Sequence, residues 1–500
     1  MKNLRFKLFF LYALGVITLE ALATPARDYL CFTANTANST VELVKNGDAY
    51  DVILQYSTDD CESWQTVDFS TSTTTGTIML EEANDKVYFR NIRQASDVSG
   101  FSKDYASGNN HYQFKMSGSI AASGNVMSLV DSDVETKEIP AEYCFCRLFE
   151  DCKALTSAPE LPADILKDNC YDSMFFRCMN LTSAPELPAM NLAKYCYESI
   201  FYRCTSLRKA PALPATNLKS YCYYCMFEGC TSLTEAPALT AMNLADCCYG
   251  MMFYGCQNLN HVKVAFTEWT DYATDNWLED VASTGTLVCP DALDKTQTGV
   301  SNIPAGWTAV LEVKANQDPD HEKNCYSTFY SGSNAYQVPG DMTAYTAVAQ
   351  DGILLLSPVA NGIIPADEAV ILKGAQPDSY LSYTTDAGTK SKDNQLSGTD
   401  NEMTLSANQY ALSLGQNGVG FYNWSGRTIG ANKAFLTLSG SQLASGRSFG
   451  MMFDDGTVTG IPATILDQPQ DDIIYNLQGQ RVDESCKGLI IKNGRKVYNY

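Results

Sequence analysis

Histidine is nearly missing from this chain, with three in 500 residues, and tryptophan occurs only five times. So few imidazoles leave little material for general-base catalysis or a zinc site. Basic side chains are in the minority, 35 Lys and Arg against 57 Asp and Glu, for a formal charge of −22. Without a compensating basic run, that balance argues against nucleic acid and anionic lipid surfaces as partners. After the first two dozen residues no apolar stretch approaches the ~20 residues of a membrane helix, so no membrane insertion is expected. No triad, phosphate loop or ligand cluster stands out, and no catalytic residue, metal or cofactor is assigned.

What the chain does have is apolar material, 45% of residues, and 18 cysteines. Residues 1–23 read as a signal peptide. Lys2, Arg5 and Lys7 precede a largely apolar Leu8–Leu19, and Ala21-Leu22-Ala23 supplies small residues for cleavage. The expected localisation is therefore secreted or cell surface.

Between residues 139 and 266 the sequence repeats. Cys144, Cys170, Cys196, Cys222 and Cys248 open five copies of 26 residues, and Cys152, Cys178, Cys204, Cys230 and Cys256 follow eight residues later in each. A short fixed period indicates units that bury their apolar face only by stacking on one another. The Leu-x-x-Ala-Pro-x-Leu stretch (Leu181, Ala184 and Leu187 in the second copy) suits a short strand, interrupted by Pro159, Pro185, Pro211 or Pro237. The Cys-Tyr-x-x-Met-Phe stretch suits a helical turn with Phe149, Phe175, Phe201, Phe227 and Phe253 in one internal column.

These units resemble the BspA-like leucine-rich repeats of bacterial surface proteins, which read Phe-x-x-Cys-x-x-Leu-Thr before the strand. The resemblance implies a curved right-handed solenoid and a role in adhesion or surface recognition. The extra opening Cys and the Ala-Pro pair depart from that pattern.

Thirteen cysteines fall in the array, the ten periodic ones with Cys146, Cys225 and Cys247. Export permits disulfides, but an odd number leaves one thiol over, and buried Cys packs well as a small apolar group. Reduced core ladders are the favoured reading. Cys222-Tyr-Tyr-Cys225 has zinc-like spacing but no matching second pair. Where the copies differ, aromatic residues stand beside arginines: Phe176 and Arg177, Tyr202 and Arg203, then Tyr254. Such pairs suit a contact patch, but a solvated convex face with partly buried rings is the favoured reading.

The flanking segments read as β. Residues 24–135 alternate apolar and polar positions, with Asn46-Gly47 as a hairpin turn, and form an expected β-sandwich. Within it, Ser57-Thr-Asp59-Asp-Cys61-Glu-Ser63-Trp64 resembles the Asp-box of sialidases, with Cys61 at the Gly position; a single copy reads as a folded turn. Residues 267–310, with Trp269, Trp277 and Trp307, are expected to cap the array. Residues 311–460 form a second β-rich domain, where Asp367-Glu368 is the one acidic pair that suggests a glycosidase. Adjacent residues of a strand face opposite ways, which makes that pair a poor one. In residues 461–500, Ile474-Tyr-Asn-Leu-Gln-Gly-Gln-Arg481-Val482, Lys487-Gly-Leu-Ile-Ile491 and Asn493-Gly-Arg-Lys-Val497 read as three strands with an Asn493-Gly494 turn. They resemble the C-terminal tails of exported Bacteroidetes proteins, some of which engage export machinery.

The expectation is a multidomain, mainly β, exported and non-enzymatic binding protein. Its solenoid would recognise an extracellular protein or glycan. The alternatives are a secreted glycan-acting hydrolase and a passive structural stalk.

Overall fold

The computed structural model describes residues 28–103, 109–270, 272–319, 321–350, 352–415, 418–439, 448–454 and 458–459, and the backbone of four short strands beyond residue 473. The signal segment 1–23 lies outside the described residues. The protein is mainly β, with 36% of residues in strands. Helix is confined, among the described residues, to 3₁₀ turns at Ala95–Asp97, Val126–Leu129 and Ala360–Gly362.

The alternating N-terminal residues form two sheets. Gln65–Asp68, Ile53–Ser57, Lys86–Asn91, Leu30–Ala34 and Ile120–Ser123 lie side by side in that order, and Ile78–Leu80, Ser39–Lys45 and Tyr112–Ser117 make the second sheet. Phe32 and Phe89 of the first meet Phe114 of the second, with ring centroids 4.8 and 5.2 Å apart. Asn46-Gly47 is not a hairpin turn. The strands on either side of it belong to different sheets, because each finds its apolar partners across the core.

The repeats lie copy upon copy, but not through the elements their pattern suggests. The Cys-Tyr-x-x-Met-Phe stretch is a run of four-residue turns, not a helical turn. Asn169, Ser173 and Arg177 are left-handed (φ 57°, 54° and 61°), one every four residues. Alternate N–H groups point along the run and across to the next copy. Met174 N–H donates to Tyr171 O and Phe176 N–H to Ser173 O, whereas Ser173 and Phe175 N–H donate to Glu198 and Ile200 of the following copy. A helix would satisfy its N–H groups internally and leave only side chains to join the copies. The turn run makes the backbone itself the joint.

The Leu-x-x-Ala-Pro-x-Leu stretch also departs from expectation. It forms a strand at Leu155–Ser157 in the first copy, and the fifth copy, which lacks the Ala-Pro pair, places a strand at His261–Lys263. Beyond the prolines, single parallel bridges tie the first four copies, Ile165 to Asn191, Asn191 to Asn217 and Asn217 to Asn243. Within the stretch Thr182 N–H donates to Thr156 O, while Glu235 and Leu239 bridge to His261 and Val264. A second proline, Pro162, Pro188 or Pro214, removes another donor from the same stretch.

Inside, side chains stack in columns. Phe149, Phe175, Phe201, Phe227 and Phe253 have near-parallel rings, with centroids 5.3–5.7 Å apart. Phe114, from the N-terminal sheets, adds a rung 5.4 Å from Phe149. Tyr171, Tyr197, Tyr223 and Tyr249 make a second column. Ile120–Ser123 pairs in parallel with Leu155–Ser157, so the first sheet runs directly into the array. One hydrophobic cluster extends from Leu30 to Ala309.

Past the fifth copy the stacking continues. Tyr249, Met251, Phe253 and Gly255 donate to Ala273, Asp275, Trp277 and Glu279. His261–Lys263, Gly285–Val288 and Trp307–Lys314 then pair as successive parallel strands. The indole N–H groups of Trp269, Trp277 and Trp307 reach the backbone oxygens of Asp294, Asn302 and Ala282. Trp307–Lys314 is shared, because its other edge pairs with Asp378–Thr384 of the C-terminal region. That region contributes an 11-stranded sheet and, among the described residues, four further hydrophobic clusters. In the tail, Ile474–Asn476, Arg481–Val482, Gly488–Lys492 and Arg495–Asn499 form one small sheet, and the Asn493-Gly494 turn lies outside the described residues.

Candidate interaction surfaces

The turn run positions the aromatic–arginine residues. Phe176 and Tyr202 occupy one column in consecutive copies, with rings parallel and centroids 4.4 Å apart. Arg203 sits over Tyr202, its guanidinium carbon 5.3 Å from the ring centroid. Arg177 instead pairs with Asp151 of the preceding copy at 3.2 Å. Tyr254 shares the column but is separated from Tyr202 by Glu228 of the copy between them. Burial, then the neighbouring Glu228, raises the Tyr202 hydroxyl above its usual range. The structure thus brings Phe176, Tyr202 and Arg203 together and leaves Arg177 and Tyr254 apart.

Variation in the arginine column also has a backbone cause. Asp151, Arg177, Arg203, Gly229 and Gly255 all have positive φ, the last two at 72°. Arg203 lies across Gly229, where a Cβ would come within 2.9 Å of its Cγ. Glycine at Gly229 therefore gives Arg203 its room and relieves the left-handed backbone.

A different face was missed at the sequence level. The paired prolines, having no N–H to extend a ladder, leave an open trough across the copies. One groove of about 880 Å³ is lined by Pro159, Pro162, Pro185 and Pro188 with Ile165 and Met190. A second, of about 500 Å³, continues from Pro185 and Pro188 to Pro211 and Pro214. Ile165 and Met190 are 51% and 55% exposed, far more than their type usually is. The available signal was two prolines in each of the first three copies, followed by Ile165 in the first and Met190 in the second.

The cysteines are free thiols among the described residues. The second of each copy bonds back to the copy before it. Cys178, Cys204, Cys230 and Cys256 donate to the carbonyls of Phe149, Phe175, Phe201 and Phe227 at 3.0–3.2 Å. Cys152 does the same to Phe114, which makes that strand the first rung. Burial holds the periodic thiols well above their ordinary range, with Cys170 and Cys256 at about 12.

Carboxylates proposed for chemistry are occupied structurally. Asp59 accepts from Ser57 Oγ at 2.6 Å and from Ser63 N–H at 2.9 Å, and these bonds lower it to about 2. Trp64 closes the turn against Tyr29, with Arg90 3.8 Å from its ring centroid. Asp367 is exposed and bonds Lys390 and Tyr330, both at 2.8 Å. Glu368 is buried and accepts from Ser391 N–H and Asn394 Nδ2. The two carboxylates thus face different surroundings. One acid of the array is unusual. Burial, then the charge of Asp172 in the preceding copy, raises Glu198 to about 8.

No protein family, curated protein or solved structure matches the chain. No helix among the described residues is long and apolar enough to cross a membrane.

Proposed function

We propose that this is an exported, non-enzymatic binding protein. Its repeats form a leucine-rich solenoid of the BspA-like kind, and that solenoid recognises an extracellular protein or glycan. The observation that carries the reading is the proline-lined trough, open across successive copies and floored by apolar side chains that stay exposed. Exposed apolar side chains gathered in a concave trough, rather than scattered singly, suit an interaction site. The columns behind it hold the trough in one shape, so little ordering entropy opposes binding. Asp59, Asp367 and Glu368 each serve a turn or loop, which weakens the hydrolase alternative.

The test is capture of the full chain on immobilised matrix proteins, mucins and glycans. Ile165→Asp with Met190→Asp places charge in the trough, and Tyr202→Ala with Arg203→Ala strips the aromatic–arginine face. The expected result is capture that the trough pair abolishes and the second pair spares. Loss with the second pair alone would move recognition to Tyr202. No capture by the unmodified chain would leave the array as a structural stalk.

A further inference from the structure

The C-terminal β region contains a cleft that the repeat array does not explain. Three strands meet there: Trp307–Lys314, His321–Phe329 and Lys433–Thr437. The cleft has a volume of about 210 Å³ and is lined by Lys314, Asn316, Ser327, Trp424, Thr428 and Lys433, with no carboxylate among the described residues of its wall. In a chain carrying −22, two lysines facing one recess without an acid is a local reversal of sign.

Lys433 is the informative residue. Its ammonium donates to Ser327 Oγ at 3.1 Å and lies 3.5 Å from Thr328 O. Ser327 Oγ donates its own hydrogen bond to Lys314 O at 2.8 Å, so Ser327 is left as an acceptor for the lysine. An ammonium has three donors, and these contacts engage two. Burial pulls Lys433 below its ordinary range, and among the described residues no acidic side chain acts to restore it. Keeping a half-buried cation without a counter-charge costs free energy, which a bound anion would recover.

The rest of the wall adds a second requirement. Trp424 lines the same cleft as the lysines, and the Arg427 guanidinium carbon lies 5.5 Å from its ring centroid. Asn316 and Thr428 offer an amide and a hydroxyl, both on exposed residues. An aromatic wall, neutral hydrogen-bonding groups and a fixed cation together suit a sugar ring that carries a carboxylate. The recess is smaller than the range for drug-sized ligands, so it suits a single ring. We infer that this cleft binds one acidic sugar residue of a glycan, with the carboxylate at Lys433 and Lys314 and the ring against Trp424.

The test is titration of the full chain with D-glucuronate, D-glucose and acetate, followed by ligand-observed NMR. Glucuronate is expected to bind about tenfold more tightly than either control, since each lacks one half of the recognised group. Lys433→Met and the exposed Lys314→Gln are each expected to weaken glucuronate several-fold while leaving the unfolding temperature near that of the parent. Equal binding of glucose would overturn the role of the lysines, and equal binding of acetate would overturn the sugar. Binding unaffected by both substitutions, or no glucuronate binding at all, would sink the assignment. None of these outcomes depends on the repeat array, so failure here leaves the array's proposed role untouched.

Discussion

Cys178 illustrates how a repeated residue can be structural without a covalent bond. Its thiol is buried, donates to Phe149 O in the copy before, and sits beside the phenylalanine column. A thiol held so far above its ordinary range presents almost no thiolate, the species that oxidises or reacts. Cys61 and Cys247 differ, because both are partly exposed. Native thiol labelling followed by peptide mapping is therefore expected to modify Cys61 and Cys247 and to spare the ladder until the chain is unfolded. Rapid labelling of Cys178 or Cys204 in the folded protein would contradict their buried placement. Cys61 also shows the cost of a departure from motif: at φ 71° it occupies a conformation that its Gly counterpart would adopt without strain.

At the level of the element, the turn run couples neighbouring copies through acids as well as through backbone. Glu198 lies next to Asp172 of the preceding copy, and its folded-state value of about 8 lies above that of an ordinary glutamate. A raised value means that the folded state holds a proton which the unfolded chain gives up. Stability from this group is thus complete below the ordinary glutamate range and is lost as pH rises toward about 8. Urea midpoints measured from pH 5 to 9 are expected to fall with rising pH, and Glu198→Gln is expected to flatten that slope. A parent chain with no such decline would show that Glu198 ionises freely.

Over the whole molecule, the N-terminal sheets and the array form one packed body. Phe114 supplies the first rung of the phenylalanine column, Cys152 bonds to its carbonyl, and the shared cluster runs on to Ala309. A fragment of residues 139–310 would expose Phe145 and Phe149, both fully buried in the intact chain. That fragment is expected to unfold or aggregate, whereas the full chain unfolds residues 30–309 together. Circular dichroism and light scattering of the two chains would decide the matter. At the other end, Asp291 accepts from Tyr336, Ser331, Asn334 and Asn432, at 2.6 to 3.1 Å. These bonds fasten the end of the array to the C-terminal region, and Trp307–Lys314 serves both.

The sequence alone determined the period, the identity of the stacked columns and the mainly β character. Each follows from local apolar spacing, and the 26-residue register forces Phe onto Phe and Cys onto Cys. The capping of the Asp-box turn by Asp59 was equally legible, since its bonds join neighbours in the chain. Three things waited for the tertiary structure. The turn run in place of a helical turn depends on hydrogen bonds to residues 25 positions away, which no short window contains. The trough exists because paired prolines in separate copies come to lie side by side. The cleft at Lys433 needs strands more than 100 residues apart to place Ser327 beside its ammonium. Periodicity fixes what stacks, but only long-range packing decides which faces remain open.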